Sequence, residues 1–163
     1  MSVKKVLEEV DFSPTKEDVN GLKKESLEII GRIKEGIRKN KIDADVFMGG
    51  SLAKNTLVKK KPYDVDLFVR FDWEIDDISY LLEKILKIGF KKTKFKMEKI
   101  HGSRDYFRLS KDKNLVFEII PVTRIKKPEG ARNVTDLSYF HVNYVKRKLK
   151  NDMANQVRLT KAF

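Results

Sequence analysis

Two aspartates, two residues apart inside the clearest apolar run of the chain, constrain this sequence more than any other feature. The run reads Asp64-Val65-Asp66-Leu67-Phe68-Val69-Arg70-Phe71. Polar and apolar residues alternate at its start, the period of a half-buried strand. Residues two apart in a strand share a face. Asp64 and Asp66 therefore point one way, while Val65, Leu67 and Val69 point into a core. Phe68 shares the face of the aspartates, so that face is not plainly polar. Two neighbouring carboxylates repel unless a cation lies between them. A hard divalent cation such as Mg²⁺ takes oxygen ligands and keeps phosphates in its shell. A short spacer upstream, Phe47-Met48-Gly49-Gly50-Ser51 ends another apolar run in a glycine-rich turn. That turn offers unhindered backbone N–H groups and a hydroxyl, which suit phosphate oxygens. Alone, a Gly-Gly pair is only a turn and Asp-x-Asp only a surface strand. Together they read as a metal and phosphate site.

The remaining bounds agree with that reading. At 163 residues the chain holds one domain, with at most the beginning of another. Hydrophobic residues make up 40%, enough for a core, and 36 Lys+Arg against 24 Asp+Glu leave a formal charge of +12. Such an excess favours a polyanion: nucleic acid, nucleotide or anionic lipid. A lysine-rich proteome would produce the same excess with no meaning beyond solubility. If nucleic acid is the partner, binding should weaken with salt. There is no cysteine, hence no disulfide and no thiolate metal site. No apolar signal segment follows Met1-Ser2-Val3-Lys4-Lys5, and no apolar run approaches membrane-spanning length. The expectation is a soluble cytoplasmic protein.

Along the chain, residues 1–12 read as a lead-in. Ser13 and Pro14 mark a helix start, with Ser13 as the cap. That helix carries Val19, Leu22, Ile29, Ile30, Ile33 and Ile37, and ends near Asn40. Asp45 to Met48 is a short strand, and Leu52 to Thr56 gives one or two helical turns. Lys59-Lys60-Lys61 is a basic loop, either solvated or facing phosphate. Asp76 or Asp77 caps a helix with Ile78, Leu81, Leu82, Ile85 and Ile88 on one face, and Gly89 stops it. Phe90 to Met97 is basic with alternating apolar residues, and Lys94, Phe95, Lys96 and Met97 suit an edge strand. A hairpin turn at His101-Gly102-Ser103 leads into Tyr106 to Leu109. Leu115 to Pro121 is a strand with the lone charge Glu118 inside an apolar run, costly to bury unless paired or metal-bound. Glu118 either faces solvent or joins Asp64 and Asp66, and with the aspartates placed the second reading is preferred. Ser138 is a candidate cap for a helix ending in Lys146-Arg147-Lys148. That cluster suits a helix C-terminus as well as RNA. A last helix carries Val157, Leu159 and Phe163.

Four stretches, in order, carry a resemblance: Gly50-Ser51-Leu52-Ala53-Lys54-Asn55-Thr56 with Asp64-Val65-Asp66; Glu118-Ile119-Ile120-Pro121; Asp136-Leu137-Ser138-Tyr139-Phe140-His141; and Asn155-Gln156-Val157-Arg158-Leu159-Thr160-Lys161. The chain resembles the catalytic head of archaeal-type (class I) CCA-adding tRNA nucleotidyltransferases, within the DNA polymerase β nucleotidyltransferase superfamily. The resemblance implies an α+β fold, a mixed or antiparallel sheet covered by helices. It implies a catalytic head over residues 1–135, with residues 136–163 beginning a second helical domain. It implies CMP and AMP transfer from CTP and ATP to the tRNA 3′ end, with two Mg²⁺ ions held by Asp64, Asp66 and Glu118. Gly50, Ser51 and Lys54 would hold the triphosphate, and Ser138, His141 and Lys161 would approach the nucleotide. His141 equally suits a structural histidine. Glu118 stands where the family has Asp, and Ser138 where it has Thr. The family chain continues well past this one, so the expectation is either a truncated piece of such an enzyme or the catalytic half of a split or reduced one, completed by a C-terminal partner subunit carrying the body and tail. A small nucleotidyltransferase acting on another substrate, or an inactive RNA-binding remnant, are the other readings.

Overall fold

The structure, a computed structural model, describes residues 12–162. The expected lead-in, up to residue 11, and Phe163 lie outside these residues. The first described helix, α1 (Lys16–Asn40), starts from Thr15 rather than Ser13. Thr15 Oγ1 accepts from the Asp18 N–H at 3.0 Å, and Asp18 Oδ2 accepts from the Thr15 N–H at 3.1 Å. Such a reciprocal cap needs an acidic or amide residue three places on. Thr15 has Asp18 there; Ser13 has Lys16. Leu22, Ile29, Ile33 and Ile37 form the buried stripe of the helix.

Five strands follow: β1 (Ala44–Met48), β2 (Tyr63–Phe71), β3 (Lys96–Ile100), β4 (Tyr106–Ser110) and β5 (Leu115–Thr123). They form one sheet in the order β1-β2-β5-β4-β3. Among the described residues only the β2–β5 pair is parallel. Between those two strands the chain makes a crossover through helix α3 (Ile78–Gly89) and the β3–β4 hairpin, as a parallel pair demands. Helix α2 (Gly50–Ala53) is a single turn after β1, and α4 (Ser138–Lys148) and α5 (Asn151–Ala162) end the described chain. The expected α+β architecture, a mixed sheet covered by helices, is the one observed. The lysine-rich strand is indeed the edge, but it begins at Lys96, two residues after Lys94, and runs to Ile100.

The core lies between the sheet and α1 with α3. Val65, Leu67, Val69, Phe117 and Ile119 meet Ile29, Ile33, Leu82 and Ile85 there, all within 1% of full burial. Each such side chain contributes about 1.5–3 kcal/mol by leaving water. The opposite face of β2 carries Asp64, Asp66, Phe68 and Arg70, as the strand period requires. The two covering helices approach closely at glycines. A Cβ on Gly89 would stand 2.5 Å from the carbonyl oxygen of Arg32. Gly89 is the last residue of α3, where a missing side chain lets α1 approach, and Phe90 is the cap. Asp77 caps the start, accepting from the Tyr80 N–H at 2.9 Å. Ser138 is not a cap. It is the first residue of α4, because the 3-10 turn Val134–Leu137 runs straight into that helix. The capping belongs to Asn133 and Asp136 at the start of the turn. Among the described residues no helix is long and apolar enough to cross a membrane.

Candidate active site

β1 delivers the chain to a turn whose two glycines lie against β2. The Gly49 N–H donates to the carbonyl of Asp66 at 2.9 Å. A Cβ on Gly49 would press into the Phe68 ring, 2.6 Å from Cδ2. A Cβ on Gly50 would overlap the Asp66 carboxylate, 2.6 Å from Cγ, and Gly50 adopts φ +60°. Glycine alone meets both demands at position 50. The Gly-Gly pair is thus cut to fit the two side chains that β2 presents. Gly50 is the first residue of α2 and Ser51 the second, and Lys54 is the C-cap that follows Ala53. The loop that follows passes through Asn55 in the left-handed region, φ 56°. The Thr56 N–H returns to the Ser51 carbonyl at 2.9 Å.

The parallel register places Asp66 opposite Glu118 and Asp64 opposite Val116. All three carboxylates therefore share one sheet face. Burial, then the negative charges of Glu118 and Asp64, push the Asp66 carboxyl up to about 6, with Lys54 and Lys161 pulling the other way. Glu118 is held from β4: its Oε1 accepts from Arg108 Nε at 2.9 Å and Nη2 at 2.8 Å. Asp64 pairs with Lys60 at 3.2 Å. Among the described residues no three acidic or imidazole groups stand close enough to enclose a metal. The donors nonetheless fit a hard divalent cation in kind. They are carboxylate oxygens on one sheet face, where burial and the charges of Glu118 and Asp64 make Asp66 resist ionisation. Arg108 and Lys60 hold two of them in this form of the protein.

A cleft of about 300 Å³ opens beside them, lined by Ser51, Lys60, Asp64, Asp66 and Lys161 among others. Lys161 reaches in from α5 and donates to Thr56 O at 3.1 Å and Thr56 Oγ1 at 3.3 Å. Burial, then the nearby Lys54, lowers the pKa of its ammonium. Gly50, Ser51, Lys54, Asp64, Asp66, Glu118 and Lys161 thus gather around one place. Ser138 and His141 lie on α4, His141 exposed, and neither is among the residues lining the cleft.

Arg158 and Asp136 stand in the quoted stretches with no role of their own assigned from sequence, and Arg70 was given none. Arg158, on α5, bonds the loop after α2. Its signal was its spacing: Asn155, Arg158 and Lys161 recur every three residues and share a helix face. Asp136 is fully buried as a side chain and accepts from Arg104 Nη1 at 2.6 Å and from the N–H groups of Thr123, Arg132 and Asn133. Arg70 lies 4.0 Å from the Tyr139 ring centroid, paired with Asp45, and so joins α4 to the β1–β2 edge. Nothing local in the sequence announces those two contacts.

The nucleotidyltransferase domain family matches residues 30–141. The CCA-adding enzyme of Nanoarchaeum equitans is 38% identical over 154 residues, 93% of this chain and 36% of that enzyme. The CCA-adding enzyme of Methanocaldococcus jannaschii is 32% identical over 170 residues, 100% of this chain and 37% of that enzyme. The chain therefore spans little more than a third of the length of these curated relatives. Among solved structures, E. coli MS115-1 CdnC with ATP superposes with a TM-score of 0.67 at 18% identity, covering 93% of this chain and 53% of that one. Cid1, an RNA terminal uridylyl transferase, superposes at 0.66 with 16% identity, covering 97% and 44%. At such identities the likeness is one of fold.

Proposed function

Because the chain belongs to the nucleotidyltransferase domain family, we propose that its carboxylate face and adjoining cleft transfer CMP and AMP from CTP and ATP to the 3′ end of tRNA. The observation that carries this is the meeting of Asp64, Asp66, Ser51 and Lys161 around one cleft, with Glu118 in register opposite Asp66. The relatives named as CCA-adding enzymes supply the substrate class. In this reading Asp64, Asp66 and Glu118 hold two Mg²⁺ ions. Bound there, the ions would supply Lewis-acid chemistry, lowering the pKa of the attacking hydroxyl and neutralising the leaving pyrophosphate. The protein's own groups grip and orient. The backbone at Gly50, the Ser51 hydroxyl, Lys54 and Lys161 hold the triphosphate. Ser138 and His141 approach the nucleotide from α4. Positioning and charge stabilisation account for most of the rate in such transfers. The division into a head over residues 1–135 and the start of a helical domain over 136–163 belongs to the same proposal.

The test is incubation with tRNA lacking its 3′ CCA, Mg²⁺ and α-labelled CTP or ATP, beside an Asp64→Ala/Asp66→Ala control. Metal-dependent label on the tRNA 3′ end, absent from the control, is expected. Label passing instead to another acceptor would overturn tRNA as the substrate. Nucleotide binding without transfer to any acceptor would favour the inactive remnant.

A further inference from the structure

Arg158 stands far along the chain from the loop it holds. The residue is 9% exposed, and its guanidinium is spread across that loop. Nε donates to Leu57 O at 3.0 Å. Nη2 donates to Asn55 O at 2.8 Å and Asn55 Oδ1 at 3.0 Å. Nη1 donates to Asn155 Oδ1 at 2.6 Å, on its own helix. The two backbone acceptors flank Thr56. Thr56 in turn holds the ammonium of Lys161 through its carbonyl and hydroxyl. It is tied back to Ser51 through its N–H. Arg158 thus pins the residue on either side of the one that receives Lys161. It also satisfies both oxygens of Asn55, whose left-handed backbone is uncommon outside glycine and best tolerated by Asn or Asp. Three of the four oxygens that Arg158 reaches belong to the loop beside the cleft.

We propose that Arg158 is a positioning residue for triphosphate binding. It fixes the 55–57 loop, and through Thr56 it sets where the Lys161 ammonium stands, without touching the nucleotide itself. The inference rests on the reading of the cleft as the triphosphate site. The planar fork is what the role requires, since a lysine carries the charge but cannot bridge Asn55 and Leu57 together.

The experiment is calorimetric titration of the full chain with ATP and Mg²⁺, in the absence of RNA, with melting curves for every variant. Arg158→Lys should weaken ATP about tenfold, the loss expected when a fork is replaced by a point charge. Lys161→Ala should weaken it at least as much. In the Lys161→Ala background, Arg158→Lys should cost no more than about twofold, because residues acting through one contact are not additive. Losses that multiply across the two backgrounds, or an unchanged affinity in Arg158→Lys, overturn the proposal and leave Arg158 a structural residue. If Arg158→Lys does not fold, the exposed Asn155→Ala replaces it, removing the acceptor that steers Nη1. A loss of about threefold alone and none beside Lys161→Ala is then expected; equal loss in both, or none in either, overturns it. A wild-type chain that binds neither ATP nor CTP fails the triphosphate reading itself, a separate failure visible before any variant is made.

Discussion

Gly50 and Asp66 touch across the turn after β1 in a way that excludes any side chain at position 50: an added Cβ would overlap the Asp66 carboxylate. Gly50→Ala should therefore move that carboxylate and strain a backbone at φ +60°. The expected cost is about 1–2 kcal/mol of stability, with nucleotide transfer falling by about a hundredfold or more, since misplacement of about 1 Å costs that much. Melting curves and the labelled-tRNA assay check both. A variant that keeps wild-type transfer would show that Asp66 does not need this seat.

Asp66 should make the metal-free protein less stable at neutral pH. Its folded value is raised to about 6 from an ordinary 3.8, so the folded chain holds this proton more tightly than the unfolded one. The stabilisation is complete below the unfolded value and is lost as pH rises through the folded one. The shift amounts to at most about 3 kcal/mol. Asp66→Asn, which cannot ionise, should thus melt higher than wild type at about pH 7.5 in chelator, and the gap should close towards about pH 4. It should also be inactive. A gap that stays constant with pH would sever the link to Asp66.

Arg108 competes for the carboxylate that the metal would use. Arg108→Ala should free Glu118, 20% exposed as a side chain, and lower the Mg²⁺ concentration for half-maximal activity by about three- to tenfold, the effect of removing a charged competitor. A rise in that concentration would mean that Arg108 orients Glu118 for the metal rather than withholding it.

Asp136 should be the most sensitive acidic position for stability. Burial alone would raise its pKa, but Arg104 and the backbone N–H groups outweigh it and hold the carboxyl below 3.8. Removing it leaves Arg104 and several N–H groups without their partner. Asp136→Ala should cost about 3–5 kcal/mol, as for a broken buried pair. The contribution of Asp136 is present above the unfolded value and lost as pH falls through the depressed folded one. Urea unfolding at neutral and acidic pH measures this: the gap between wild type and Asp136→Ala should shrink in acid.

Much of the fold was legible because it followed from period. The alternation around Asp64 and Asp66 placed both on one face with Phe68, and only with those aspartates placed was Glu118 read as joining them, where the register sets it opposite Asp66. Lys96 and its neighbours suited an edge and form one. What could not be read depended on pairs distant in sequence. Gly89 looks like a helix stop, yet its lack of a side chain answers the carbonyl of Arg32 on another helix. Ser13 and Ser138 look like caps, but the reciprocal partners lie at Asp18 and Asp136, beside Thr15 and Asn133. Arg158 and Arg104 read as surface charges until the fold supplies their acceptors. Ser138 and His141 match the family pattern, yet neither lines the cleft.

The parallel pairing of β2 with β5 also bears on when the site comes into being. Asp66 and Glu118 are about fifty residues apart, and such distant contacts form late because loop closure precedes any gain from them. A chain emerging from the ribosome with β2 complete but β5 unmade has two carboxylates and an unpaired strand edge, and nothing opposite Asp66. In the proposed reading, competence and sheet closure then arrive in a single step. Unfinished or clipped copies would be silent rather than sluggish, and a chain ending before Leu115 should bind no nucleotide however well its first half is helical.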